Sequence, residues 1–311
     1  MQALKRITKT INGWSLNLLI FMLLISNYCI YGLNGNEEMY MQLAKQFYDP
    51  TWIRDSFTLT QFPSNRLLYQ YFAGFLLEFF KFEVAAQIGR FFIAGLFAFP
   101  LARLFRHFKI SNLEALLLLQ LVFIPQQSFI ASSWMFLSFE SKGLSYPFIL
   151  WAIYYLLKND YLKVVLLAAL ATYFHVLVGL WFFLAVSLYQ VFQSETFKDI
   201  IIRGLGYTVL VLPMVAYLAS EILFSEAPAD FTTSIDWIYT YYRNPHHTTP
   251  FRAGEGYFMS HWFEGCVQLV LFWLLALTVF RFASVSESFQ KEYLKPGDGS
   301  IGHSFSYSRL F

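Results

Sequence analysis

Eight apolar runs, at residues 14–31, 67–80, 84–105, 113–134, 144–157, 164–192, 200–223 and 265–280, occupy most of this chain and leave little sequence for a water-facing domain. Of its 311 residues only 14% are charged and 57% are hydrophobic, whereas a soluble domain carries roughly 25% charge. The pattern predicts an all-α fold, a polytopic membrane helix bundle, because a segment in lipid has to satisfy its own backbone groups. The net charge is +2 and the Lys and Arg residues form no basic run, so no nucleic-acid partner is expected. Cys29 and Cys266 both fall in apolar sequence, which supports neither a disulfide framework nor a thiolate metal site.

The placement of Lys and Arg orients the runs. Run 67–80 is short and contains Glu78. Laid in the interface rather than across the membrane, it keeps Arg103, Arg106 and Lys109 on the inner side, as the positive-inside bias requires. Run 164–192 is too long for one crossing, and His175 and Gly179 near its middle predict a break into a short rising helix and a descending one. Lys5, Arg6 and Lys9 precede run 14–31 with no small-x-small cleavage site after it, which predicts an uncleaved first helix. The expected topology has about eight crossings with both termini cytoplasmic. One membrane domain then spans residues 1–280, with outer segments 32–83, 136–143 and 221–264, and residues 281–311 form a polar cytoplasmic tail or a shortened remainder.

Candidate chemistry concentrates in those outer segments. Glu37 and Glu38 follow a glycine-containing exit turn in which Asn36 is expected to cap a new helix. They read equally as first-turn residues complementing a helix dipole and as a catalytic base or metal ligand at the water–lipid boundary. Glu140 and Lys142 share the short loop 136–143, where they could pair with each other or reach the lipid headgroups. His175 is either a packing residue or, as an ionisable group at membrane depth, a functional one. Arg243-Asn244-Pro245-His246-His247-Thr248-Thr249-Pro250 joins a guanidinium suited to phosphate with two imidazoles suited to acid–base work or a divalent metal ion, between two prolines. Adjacent histidines in extended chain face opposite ways, so one of His246 and His247 would serve a given site.

The outer glutamate pair after the first helix, the interfacial segment and the broken helix at His175 together resemble the membrane-embedded GT-C glycosyltransferases. Phe139-Glu140-Ser141-Lys142, Phe174-His175 and the Arg243-x-Pro-His-His-x-x-Pro250 segment are also similar to signposts of a group of bacterial membrane proteins related to that superfamily. The resemblance covers roughly residues 14–280. It implies a multi-pass protein of the bacterial inner membrane whose site faces outward, with a polyprenyl-phosphate-linked sugar as donor and a glycan or lipid as acceptor. Glu37 or Glu38 would be the catalytic residue, and Arg243, His246, His247, Glu140, Lys142 and His175 would bind substrate or its phosphate. The Asn-Glu-Glu sequence stands where better-known members have aspartate-containing pairs, and the crossings are fewer than is usual there.

Two other functions fit the same residues. A flippase, transporter or binding protein for lipid-linked glycans would use the polar face without chemistry, although transporters place ionisable groups nearer the midplane. A membrane metallohydrolase has less support, because no His-x-x-x-His or His-Glu pairing is present.

Overall fold

A computed structural model describes residues 10–29, 31–54, 56, 59, 66–124, 127, 134–193, 196–224, 234, 237–243, 249–251 and 255–282. Among them every regular element is helical. Two compact units result: residues 1–127 with 134–229, and residues 128–133 with 230–311.

The first unit begins with α1 (Leu16–Tyr28), whose Leu16, Ile20, Leu24 and Tyr28 recur every fourth residue and are buried. That stripe packs on α4 (Phe82–His107), while Leu18 and Met22 on other faces stay exposed. Between them come α2 (Gly35–Tyr48) and α3 (Leu67–Phe79). These two run side by side in the same direction: Arg66 lies 3.8 Å over the Tyr40 ring at one end, and Lys45 bonds Glu78 at 2.7 Å at the other. At 1.5 Å per residue α3 is about 20 Å long.

α4 carries the core. Its buried Ala85, Ala86, Ala94, Ala98 and Ala102 let neighbouring helices approach closely, and Ile93 and Phe97 fill the space between them. Beyond it lies α5 (Asn112–Leu118), started by a capping box of Ser111 with Glu114 and continued by a π-helical turn at Leu119–Phe123. The apolar run 113–134 is therefore helical only to Phe123 among the described residues, since residues 134–140 have no regular structure.

α6 (Ser141–Leu156), α7 (Tyr161–Phe174) and α8 (Val176–Phe192) pack in sequence. The long run 164–192 does break at His175, the one non-helical residue between α7 and α8. A side chain at Gly179 would bring its Cβ to 2.2 Å from Thr172 Oγ1, so the hairpin closes only around a glycine there. α9 (Phe197–Phe224) returns along α7, with Tyr207 stacked 4.0 Å from Phe183 and its hydroxyl 2.7 Å from Thr172 Oγ1. The second unit holds the π-helical segment Ile238–Arg243, α10 (Glu255–His261) and α11 (Phe263–Phe282).

Two helices, Phe82–His107 and Phe197–Ser220, are long and apolar enough to cross a membrane, which supports membrane association. Leu16–Tyr28, Tyr161–Phe174, Val176–Phe192 and Phe263–Leu275 are apolar but shorter. The apolar window of Phe82–His107 is 56% buried within the protein and that of Phe197–Ser220 only 17%, so the second leaves most of its apolar surface to be covered by something other than water.

Candidate functional site

The site grows from the exit turn after α1. Asn34, in extended conformation, caps α2: its side chain accepts from the Asn36 N–H at 3.2 Å, and Glu37 reaches back to the Asn34 N–H at 2.7 Å. The cap is thus Asn34 and not the expected Asn36, because the helix already begins at Gly35 and Asn36 is turned elsewhere. Fixed in this way, the Glu37 carboxylate points inward and is fully buried. Arg90 on α4, equally buried, donates Nε to Glu37 Oε1 at 2.8 Å and Nη2 to Oε2. The Phe139 N–H supplies a fourth bond at 2.6 Å. A carboxylate has about four acceptor positions, and all of those on Glu37 are taken. Arg90 Nη2 also donates to the Gly32 carbonyl at 3.0 Å, locking the exit turn itself.

Phe139 brings the 134–140 segment onto this node. Its ring lies over Gly89, where an added Cβ would come within 2.1 Å of the ring. Tyr69 on α3 donates its hydroxyl to the Phe139 carbonyl at 3.1 Å. Gln127 clamps the same segment from the other side: its Oε1 accepts from the Met135 and Phe136 N–H groups, each at 2.7 Å, and its Nε2 donates to the Phe136 carbonyl at 2.7 Å. The segment lacks regular structure, yet its backbone groups are bonded to fixed side chains, which makes it a rigid support.

Glu140, 2% exposed, occupies the N-cap position of α6. Lys142 therefore belongs to the first turn of that helix rather than to a loop. Glu140 accepts from Asn36 Nδ2 at 3.1 Å, from Ser138 Oγ at 3.3 Å and from Trp134 Nε1. All three donors are neutral, and among the described residues Oε2 takes only the Asn36 bond, which leaves an acceptor position on it open to them. Burial pushes the Glu140 carboxyl above its ordinary range. The Trp134 bond, the Lys142 ammonium, the Asn36 bond and the Arg66 guanidinium pull against that shift.

Lys142 stands over the Trp134 ring, 5.8 Å from its centroid. His175 caps α8 by accepting the Val178 N–H on Nδ1 at 3.4 Å, which assigns the proton of the neutral ring to Nε2. It is pushed down to about 3 by burial first and by Arg66 and Lys142 after that. The same two cations act on Glu140 and His175, so Arg66, Glu140, Lys142 and His175 form one electrostatic cluster at the end of the first unit that also holds the exit turn.

Glu38 faces outward and is exposed. Arg243 closes the π-helical segment of the second unit, and its side chain, like His246 and His247, lies outside the described residues. Among the described residues no three His, Cys, Asp or Glu side chains are placed to hold a metal ion.

The sequence pattern also held a signal for residues beyond the expected set. Arg90, the charge in the middle of the 84–105 run, needs a carboxylate buried with it. Arg66, Gln127 and Asn36 carry no such signal, because their positions depend on which segments meet. Compared with known proteins, the chain matches no family model, no curated relative and no solved structure.

Proposed function

We propose that this chain is a multi-pass membrane glycosyltransferase of the GT-C type, with about eight crossings, which moves a sugar from a polyprenyl-phosphate donor to a glycan or lipid acceptor at the outer face of a bacterial inner membrane. The observation that carries this reading is Glu140: a buried carboxylate above its ordinary range, with an open acceptor position and two cations in electrostatic reach. A carboxylate whose pKa is raised toward the working pH is a more effective general base.

In the proposed step the acceptor hydroxyl oxygen bonds to the anomeric carbon of the donor sugar. The bond from that carbon to the phosphate oxygen breaks and its electron pair leaves with the phosphate. The hydroxyl proton passes to Glu140, or to the exposed Glu38. Lys142 and the Nε2–H of neutral His175 would stabilise the departing phosphate. Glu37, with every acceptor position occupied, serves as the fixed point that holds Phe139 and thereby Glu140. The roles expected for Arg243, His246 and His247, including a divalent metal ion, rest on the sequence.

The test is transfer from radiolabelled polyprenyl-phosphate sugars by the purified protein, with Glu140→Gln and Glu38→Gln as separate controls. Transfer that only the first control abolishes identifies Glu140 as the base, and loss with the second alone identifies Glu38. Binding of the donor with no transfer under any condition overturns the enzyme reading in favour of a flippase or binding protein.

A further inference from the structure

Four apolar helices of the first unit stop short at one level. α1, α6, α7 and α8 have 13, 16, 14 and 17 residues, so each is about 20–25 Å long, less than the roughly 30 Å of a bilayer core. One set of their ends gathers with α4 and α9. There the His107 ring lies 6.1 Å from Tyr154, Lys163 lies 4.6 Å over the Tyr155 ring, Arg203 bonds Gln190 at 2.7 Å, and Asn112, just past α4, donates to the Trp14 carbonyl at 3.0 Å. At their other ends α1 runs into the exit turn, α6 starts at Glu140, and α7 and α8 meet at His175. The polar cluster marks the level at which they end.

α4 passes that level. From Glu83 to Arg103 it rises about 30 Å, the thickness of a bilayer core, and the exposed residues between them are Val84, Phe91, Phe92 and Phe99. Arg90 is seven residues in from Glu83, so the Glu37–Arg90 pair lies about 10 Å inside that apolar stretch. His175, twelve residues along α7 from Lys163, stands about 18 Å from the opposite end. The two measures agree.

α2 and α3 accompany the outer turns of α4. α2 runs against α4 from the Glu37–Arg90 pair to Trp52, whose ring lies 5.9 Å from Phe82. Because α3 runs with α2, it stands along α4 and is not laid flat in the interface, the placement that the length of run 67–80 suggested. Arg66, twelve residues before Glu78, is about 18 Å below the outer end of this layer. Phe72, Phe75 and Phe79, spaced three and four apart, share a face of α3. Phe72 meets Phe92 at 5.2 Å, and Phe75 and Phe79 are exposed. Together with Phe91 and Phe92 they form one apolar surface, whereas α2 exposes Glu38 and Gln42.

We propose that hydrocarbon chains of the outer leaflet cover this surface of α3 and α4. The two helices α2 and α3 then rebuild the membrane wall above the short helices, and the Glu37–Arg90 pair and the cluster of Arg66, Glu140, Lys142 and His175 lie about 10–18 Å below the outer boundary. Irregular backbone at such depth is tolerated where protein or a water-filled cavity surrounds it. Segment 134–140, bonded to Gln127 and Glu37, meets the first condition, and the polar face of α2 gives water its approach. The placement concerns depth alone and holds whether the cluster transfers a sugar or only binds a ligand.

The full-length protein carrying Cys29→Ser and Cys266→Ser receives one further substitution, Tyr71→Cys, Phe75→Cys, Phe79→Cys or Gln42→Cys, is spin-labelled there and is reconstituted in phosphatidylethanolamine–phosphatidylglycerol vesicles. Labels at positions 71, 75 and 79 should be relaxed by lipid-dissolved oxygen more than by a water-soluble nickel chelate, with position 71 about 12 Å deeper than position 79. The label at position 42 should show the reverse preference. Nickel-dominated relaxation at positions 75 and 79, or one common depth for all three α3 positions, overturns the proposal. Strong dipolar coupling between position-79 labels of two chains also overturns it, by assigning the face to a second copy. In the unsubstituted protein, a lipid-dissolved carbene reagent should label the 67–80 peptide within twofold of the 84–105 peptide, and label confined to 84–105 overturns the proposal without recourse to any variant.

Discussion

Glu37 and Glu140 meet the same short segment of chain and have opposite surroundings. Glu37 is closed by one buried guanidinium and two backbone amides. Glu140 is held by three neutral donors, with its cations at longer range and an acceptor position open. A buried charge that is fully paired is part of the framework, because any change of state strands its partner. One that is incompletely paired can take a proton without dismantling what surrounds it. Burial alone therefore does not mark a reactive carboxylate. The number of bonds still open to it does.

Breaking the closed node should have the largest effect. Glu37→Gln leaves Arg90 buried and uncompensated, and removing one partner of a buried pair costs about 3–5 kcal/mol. Thermal unfolding in detergent should show that loss, and the double substitution Glu37→Gln with Arg90→Met should recover much of it. Wild-type stability in the single variant would mean that the pair does not hold the fold.

Glu140→Gln should separate the two carboxylates most clearly. The substitution keeps the shape and favours a neutral group that burial already favours, so the melting temperature should change little. Activity should fall by about 10²–10³, the cost of removing one transition-state contact. A large loss of stability with residual activity would place Glu140 in the same class as Glu37.

Gly89→Ala tests the link between the nodes. The added methyl has to displace the Phe139 ring, and overpacking of this kind costs about 1–3 kcal/mol. Because Phe139 also carries a bond to Glu37, both stability and activity should fall. A loss of stability alone would show that the site tolerates movement of Phe139.

The smallest effect concerns pH. His175 sits at about 3 in the folded protein against roughly 6.5 when unfolded, so between these values the unfolded chain binds more protons. Its contribution to stability is complete above pH ~6.5 and is lost as pH falls toward 3. His175→Asn keeps a capping acceptor and should reduce the acid slope of stability by at most about 1.4 kcal/mol per pH unit. An unchanged slope would mean that His175 titrates normally.

Much of the helical order was legible in the sequence. Apolar period and length predicted helices at 67–80 and 265–280, and the single histidine and glycine in run 164–192 predicted its break, because those residues sit where a continuous helix in lipid would strand a polar group. The site was legible only in part. Glu37, Glu140, Lys142 and His175 stood out as ionisable residues beside apolar runs, but nothing local distinguished the two glutamates. Capping by Asn34 instead of Asn36 and the meeting of Glu37 with Arg90 on α4 are both results of which segments come together. Sequence by itself determined the helical class, the apolar surface and the short list of polar candidates, since periodicity, hydrophobicity and charge are local properties. Only the tertiary structure decided which carboxylate is closed and which open, because hydrogen bonds and burial are properties of neighbours brought together from distant parts of the chain.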